Sequence, residues 1–123
     1  MKKLISFILF SFFINSPVFG EISEHNGFIV RSLDNRFEVI SPNKYQAKME
    51  VVIENKTNMR MLGRIMINRS RNIEYVSIEA GEYKKYVVDL KKNDILHYLP
   101  LNPAFQEIEL IVGNKFYEIP PKQ

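Results

Sequence analysis

The chain has no cysteine. That excludes a structural disulfide, a thiolate metal site, a cysteine nucleophile and lipid attachment through an N-terminal Cys. Histidine is almost as scarce, with only His25 and His97. Neither stands beside a recognisable nucleophile motif, so a serine–histidine hydrolase has little to be built from. There is no glycine-rich phosphate loop. No pattern of paired carboxylates suggests a glycosidase, since Glu107 and Glu109 share one strand face without a second pair. Long apolar runs are also missing after the first twenty residues, and no stretch shows the 3.6-residue period of a long amphipathic helix. We therefore expect a chain that is not an enzyme and that carries no cofactor.

The first twenty residues are different. Met1-Lys2-Lys3 precedes Leu4–Ile14, an apolar run broken only by serines, and Val18-Phe19-Gly20 places small residues where a signal peptidase cuts. These three parts predict a secretory signal peptide at 1–20 and one domain at 21–123. The run is about half the ~20 residues that span a bilayer. The mature chain should therefore have no transmembrane segment. Its location should be periplasmic or secreted. The formal charge of +3 falls to +1 once Lys2 and Lys3 are removed. Such a balance argues against nucleic-acid binding.

What remains reads as strands. In Tyr45–Glu54, Tyr45, Ala47, Met49, Val51 and Ile53 take alternate positions, and Met59, Met61, Ile65 and Ile67 do the same after the polar turn Glu54–Asn58. Period-2 alternation buries one face and wets the other. Direct pairing of these two strands would set Val51 opposite Met61 and Met49 opposite Gly63. Gly63, in the apolar row, predicts a bulge or a close backbone approach. Phe28–Val30, Phe37–Ile40, Val76–Ala80, Tyr86–Leu90, Ile108–Val112 and Phe116–Ile119 complete the set. Gly113-Asn114 reads as a hairpin turn. Seven or eight short strands predict an all-β fold, a small antiparallel β-sandwich of immunoglobulin-like type. Phe28–Val30 and Phe116–Ile119 are the expected sheet edges.

Four features are candidates for function. Lys91–Phe105 is the longest stretch without a strand pattern, with one helical turn expected over Ile95–Leu99. Its apolar residues Ile95, Leu96, Tyr98, Leu99, Leu101 and Phe105 are the candidate partner-binding set, or else a plug for the core, with Leu96 and Leu99 inward and Tyr98 outward. Met49, Met59, Met61 and Met66 are soft donors suited to copper(I). In size and methionine use the chain is similar to small exported copper carriers of immunoglobulin-like fold, without their Met-x-x-Met or His-rich motifs. Arg60, Arg64, Arg69 and Arg71 form a basic cluster that also suits a solvated face. Finally, a sheet edge can accept a partner's strand. Asn55-Lys56-Thr57 and Asn68-Arg69-Ser70 match the glycosylation sequon, and both are expected to be turn residues.

The functional expectation is a binding module. It would be an accessory, adaptor or small chaperone subunit of a cell-envelope assembly, with another envelope or secreted protein as partner. The alternative is a small-ligand or copper-handling carrier. Expression in an exporting host should yield a chain beginning at Glu21, read by intact mass and N-terminal sequencing. A product that retains residues 1–20 would contradict the cleavage assignment.

Overall fold

The computed structural model describes residues 27–113 and 115–120. The predicted signal peptide, the polar leader after it, His25, Asn114 and Pro121 lie outside the described residues. Nine strands and no helix occur among those described. In chain order they are β1 (Gly27–Ser32), β2 (Phe37–Ile40), β3 (Lys48–Asn55), β4 (Met61–Ile67), β5 (Arg71–Ile78), β6 (Tyr83–Asp89), β7 (Leu96–Asn102), β8 (Ile108–Leu110) and β9 (Phe116–Ile119). They form a five-stranded sheet of order β6-β3-β1-β2-β9 and a four-stranded sheet of order β5-β4-β7-β8.

Alternation decides which side chains meet between the sheets. Phe28 and Val30 of β1, Phe37 and Val39 of β2, and Met49, Val51 and Ile53 of β3 are buried in one cluster with Met61, Ile65 and Ile67 of β4. Val76 and Ile78 of β5, Val88 of β6, Leu96 and Tyr98 of β7, and Ile108 and Leu110 of β8 join them. The two inner faces thus share one core, as in a β-sandwich.

Several expectations are corrected. Strands β3 and β4 do not pair. β3 lies between β6 and β1, whereas β4 lies between β5 and β7, so the Glu54–Met59 turn crosses from one sheet to the other. The supposed Gly113-Asn114 hairpin crosses too, because β8 pairs with β7 and β9 with β2. Pairing is antiparallel except for β1 with β3, which is parallel. β1 is central rather than an edge, while β9 is an edge among the described residues. Lys91–Phe105 holds no helical turn. Its centre is β7, which tolerates Pro100 opposite Gly63 at a bulge in the ladder with β4.

That bulge explains Gly63. A Cβ at residue 63 would lie 2.4 Å from the Tyr98 hydroxyl oxygen and 2.7 Å from the ring. The missing side chain is the slot that takes the tyrosine. Tyr98 is fully buried and meets Phe37 edge-on at 6.1 Å between ring centres, and Phe37 in turn meets Phe105 at 4.9 Å. The three rings join β2 of one sheet to β7 and its following loop on the other. Pairs of this kind add about 0.5–1.5 kcal/mol each beyond area burial. Burial holds the Tyr98 phenol well above the ordinary tyrosine range, with a smaller push from Tyr86. Its hydroxyl has no hydrogen-bond partner.

The sandwich is fastened at its margins by polar groups. Asn55 ends the inward row of β3 and is fully buried. Its Nδ2 donates to the carbonyls of Met59 (2.8 Å) and Ile78 (3.0 Å), and its Oδ1 accepts from the Thr57 amide (3.0 Å) and hydroxyl (2.6 Å). Asn55 and Ile78 belong to different sheets. The Gly81 amide donates to the Asn55 carbonyl at 2.9 Å, and Gly81 has φ +80°, a conformation that glycine adopts without a Cβ clash. The Tyr117 hydroxyl of β9 donates to the Glu109 carbonyl of β8 at 2.8 Å, a second cross-sheet tie. Tyr45 donates to the Leu90 carbonyl.

Outer faces and edges are charged. Glu54, Arg31, Glu38, Arg36 and Glu118 form a ladder across the outer face of the five-stranded sheet, with contacts of 2.8–3.5 Å. Partial burial works against the Arg31 charge, but Glu54 and Glu38 outweigh it and raise its pKa. Lys84 stands opposite Ile53, and Glu74 opposite Ile65, on the inward rows of edge strands β6 and β5. An inward-pointing charge at an edge discourages a further strand from docking.

The tyrosine slot yields a stability test. Gly63→Ala should lower the unfolding free energy by about 1–3 kcal/mol through overpacking, read by urea denaturation. Tyr98→Phe, which removes only the orphaned hydroxyl, should be neutral or slightly stabilising. A large loss in Tyr98→Phe would contradict the unpartnered hydroxyl.

Candidate binding cleft

At the end of the sandwich marked by Asn55 the sheets leave an opening. Asn55, Ser32 and Phe37 are neighbours across β3, β1 and β2, all on inward rows. Met61 starts β4 on the facing sheet. Four connections lie at this end, and three of them, the β1–β2 turn, the β3–β4 turn and the β7–β8 loop, enclose a cleft of about 320 Å³. Its floor is Ser32, Phe37, Met61 and Phe105, and its walls are Leu33, Asp34, Arg36, Thr57, Asn58, Met59 and Pro103.

The Asn55 amide shapes one wall. It holds the Met59 carbonyl and both polar groups of Thr57, so Thr57–Met59 is fixed as a turn against the core. Phe105, on the opposite side, is fixed by Phe37. The Asn102–Pro103 peptide bond is cis, in the turn closed by the Leu101–Ala104 bridge.

Polar groups around the cleft differ in how far the fold satisfies them. Arg36 is engaged by Glu38 (3.4 Å), Glu118 (3.5 Å) and the Asn35 side chain (3.4 Å). Asp34 and Asn58 have no side-chain partner among the described residues. Ser32 is 5% exposed, yet its hydroxyl makes no hydrogen bond within the fold and is not sealed off from the cleft. Met59 is 49% exposed.

The candidate partner-binding residues scatter. Leu96 and Tyr98 face the core and offer no surface, so Tyr98 points inward rather than out. Leu99 is half-buried and lies off the inward row. Ile95 and Leu101 are exposed at 44% and 40%. Phe105 alone reaches the cleft. The plug reading thus describes Leu96, Tyr98 and the Phe37 side of Phe105.

The methionines divide as well. Met49, Met61 and Met66 are buried, and Met59, expected on a buried row, is in a turn. Among the described residues no three His, Asp or Glu side chains gather as a metal site would require. His97 is buried, with its Nδ1 2.6 Å from Glu107 Oε2 but not aligned for a hydrogen bond. Arg69 holds the same oxygen at 3.0 Å. The basic cluster is largely compensated: Arg60 pairs with Glu79 at 3.0 Å, and Arg64 lies 5.8 Å from the centre of the Tyr75 ring. Asn55 of the first sequon is fully buried and consumed by its own network, whereas Asn68 is exposed and bonds Asp94 and Ile95.

Sequence reasoning missed the cleft because its walls come from three distant turns. One signal was available: Asn55 continues the parity of Met49, Val51 and Ile53, and a polar residue on an inward row marks a structural or functional knot.

The opposite end has a wider opening of about 750 Å³, lined by Tyr45, Ile73 and Leu90 among Lys48, Arg71, Glu74, Asp89, Lys91 and Asp94. Several of these charges satisfy one another. Lys48 meets Asp89 at 2.6 Å, and Asp94 accepts from the Lys91 amide at 3.0 Å. It offers less apolar surface per volume than the first cleft. Compared with known proteins, the chain matches no family, no curated protein and no solved structure.

Asp94 supplies a pH test. The Lys91 amide above all, with the Asn68 side chain and the charges of Arg71 and Lys91, holds its carboxyl below the ordinary aspartate range against the opposing effect of desolvation. A depressed folded pKa stabilises the fold above the unfolded value, about 3.9, and that contribution is lost as pH falls. Asp94→Asn should therefore be less stable than wild type at pH 7, with the two denaturation midpoints converging as pH falls below the unfolded value and through the depressed folded pKa. A constant gap across that range would contradict the assignment.

Proposed function

We propose that this chain is an exported, non-enzymatic binding module of immunoglobulin-like sandwich type. It serves as an accessory, adaptor or small chaperone subunit of a cell-envelope assembly, and it holds an apolar group of its protein partner in the cleft between the β1–β2, β3–β4 and β7–β8 connections. The observation that carries this reading is the cleft: an apolar floor of Phe37, Met61 and Phe105, open to solvent at a sandwich end, with rim groups that no neighbour satisfies. Loops gathered at one end of a rigid sandwich are a common place for recognition. Concave sites with mostly apolar lining and a few convergent polar groups are the usual form of a binding site. The export half of the reading rests on the N-terminal pattern. Four connections that cross between the sheets, β3–β4, β5–β6, β6–β7 and β8–β9, support the immunoglobulin-like assignment.

A second reading has its own observation. Met59 and Met61 both line the cleft, whose volume is near the lower end of small-ligand cavities, about 300–1,000 Å³. Two thioethers in one cleft suit a carrier of a soft metal or a small apolar ligand. Titration with copper(I) under reducing conditions separates the two: saturable binding that Met59→Leu abolishes favours the carrier.

The binding module is tested by site-specific photo-crosslinking in exporting cells. A crosslinker at Asn58 should give one dominant adduct with another exported protein. The same probe at Lys85, on the outer face, should not, and Met59→Asp should remove the adduct. An adduct formed from Lys85 but not Asn58 would contradict the assigned surface.

A further inference from the structure

We infer that the cleft recognises a peptide segment in which an apolar side chain is followed by a lysine or arginine. This rests on the binding-module reading and specifies the partner's chemistry. Three properties of the cleft carry it.

The first is size and composition. About 320 Å³ over Phe37, Met61 and Phe105 admits an apolar side chain and the backbone beside it. Met59, half-exposed at the rim, has an unbranched thioether side chain that adapts to different apolar shapes.

The second is Ser32. Its hydroxyl lies on the inward row of β1, opens onto the cleft and bonds none of the described residues. A ligand with a donor or acceptor beside its apolar group can take the place of water on this hydroxyl. A peptide backbone has both.

The third is charge. Two ionised groups of the β1–β2 turn line the cleft. The Arg36 guanidinium is shared between Glu38 and Glu118, whereas the Asp34 carboxylate has no cation. Among the residues that line the cleft, the uncompensated charge is therefore negative. Asn58, across the cleft, adds an unengaged amide. Complementary charge at a rim sets selectivity more than affinity, so the preference should lie in which apolar segments bind. The engaged Arg36 explains why an acidic neighbour is not the fit, although an arginine lines the same cleft.

The test uses the exported protein, isotope-labelled, and three acetylated octapeptides of Ser and Gly. One contains a central Phe-Lys pair, one Phe-Glu and one Ala-Lys. Phe-Lys should shift the amide resonances of Leu33, Thr57, Asn58, Met59 and Phe105, with saturation. At low ionic strength Phe-Glu should bind about threefold to fivefold more weakly, the range of an exposed ion pair, and 0.5 M salt should erase the difference. Asp34→Asn, with an otherwise unchanged spectrum, should equalise Phe-Lys and Phe-Glu without abolishing either. Equal binding of the two Phe peptides by the unmodified protein overturns the charge assignment but leaves the cleft as a binding site. Binding of Ala-Lys as tight as Phe-Lys overturns the apolar anchor. If neither Phe peptide moves the cleft resonances, the cleft reading itself fails.

Discussion

Asn55 sits where several backbone groups end without a ladder partner. The Met59 carbonyl belongs to a turn, the Ile78 carbonyl ends β5, and the Thr57 amide lies beyond the last residue of β3. Each would be costly to bury unpaired. One amide side chain, with two donors and one acceptor, satisfies all three and the Thr57 hydroxyl besides. In doing so it connects the five-stranded sheet to the four-stranded one at a single point. A hydrophobic residue of similar size would keep the packing and lose every one of these bonds.

The cleft depends on that knot. Thr57–Met59 is its wall because Asn55 holds the turn down, and Ser32 and Phe37 are its floor because they extend the same row of the sheet. On the far side the fixed element is aromatic. Tyr98 needs the space above Gly63, and its ring backs Phe37, which in turn seats Phe105. The binding surface is thus framed by parts of the core rather than by free loops. A preorganised site loses less entropy on binding. At the opposite end Tyr45 holds the Leu90 carbonyl and Lys48 pairs with Asp89 beside a wider opening.

Much of the fold was legible from alternation. The inward rows of β3, β5, β6 and β8 were readable because each has one wet face, and Gly63 marked the bulge and close approach that it makes. Strand β7 was not. Met66 and His97 are buried on the outer side of their sheet, with Glu107, itself paired to Arg69, against His97, so both faces of this region read as covered. Pro100 and Pro103 then argued against regular structure, although Pro100 stands at a bulge. Sheet membership was not legible either, because β3–β4 and β8–β9 look like hairpins locally and cross between sheets only through long-range packing. Of the candidate binding residues, Phe105 reached the cleft. Asp34, Asn58 and Met59 occupy turns whose sequences are ordinary, and only the fold brings them together.

The central claim is that Asn55 joins the two sheets and sets the cleft wall. Hydrogen exchange followed residue by residue, in wild type and Asn55→Leu, tests it most directly. The account predicts a global stability loss of about 2–4 kcal/mol. It also predicts faster exchange at Thr57, Gly81 and the ends of β3 and β5, with the Tyr117–Glu109 margin less affected. Faster exchange confined to residues 57–59, with global stability unchanged, would show that Asn55 is a local turn residue and would contradict the account.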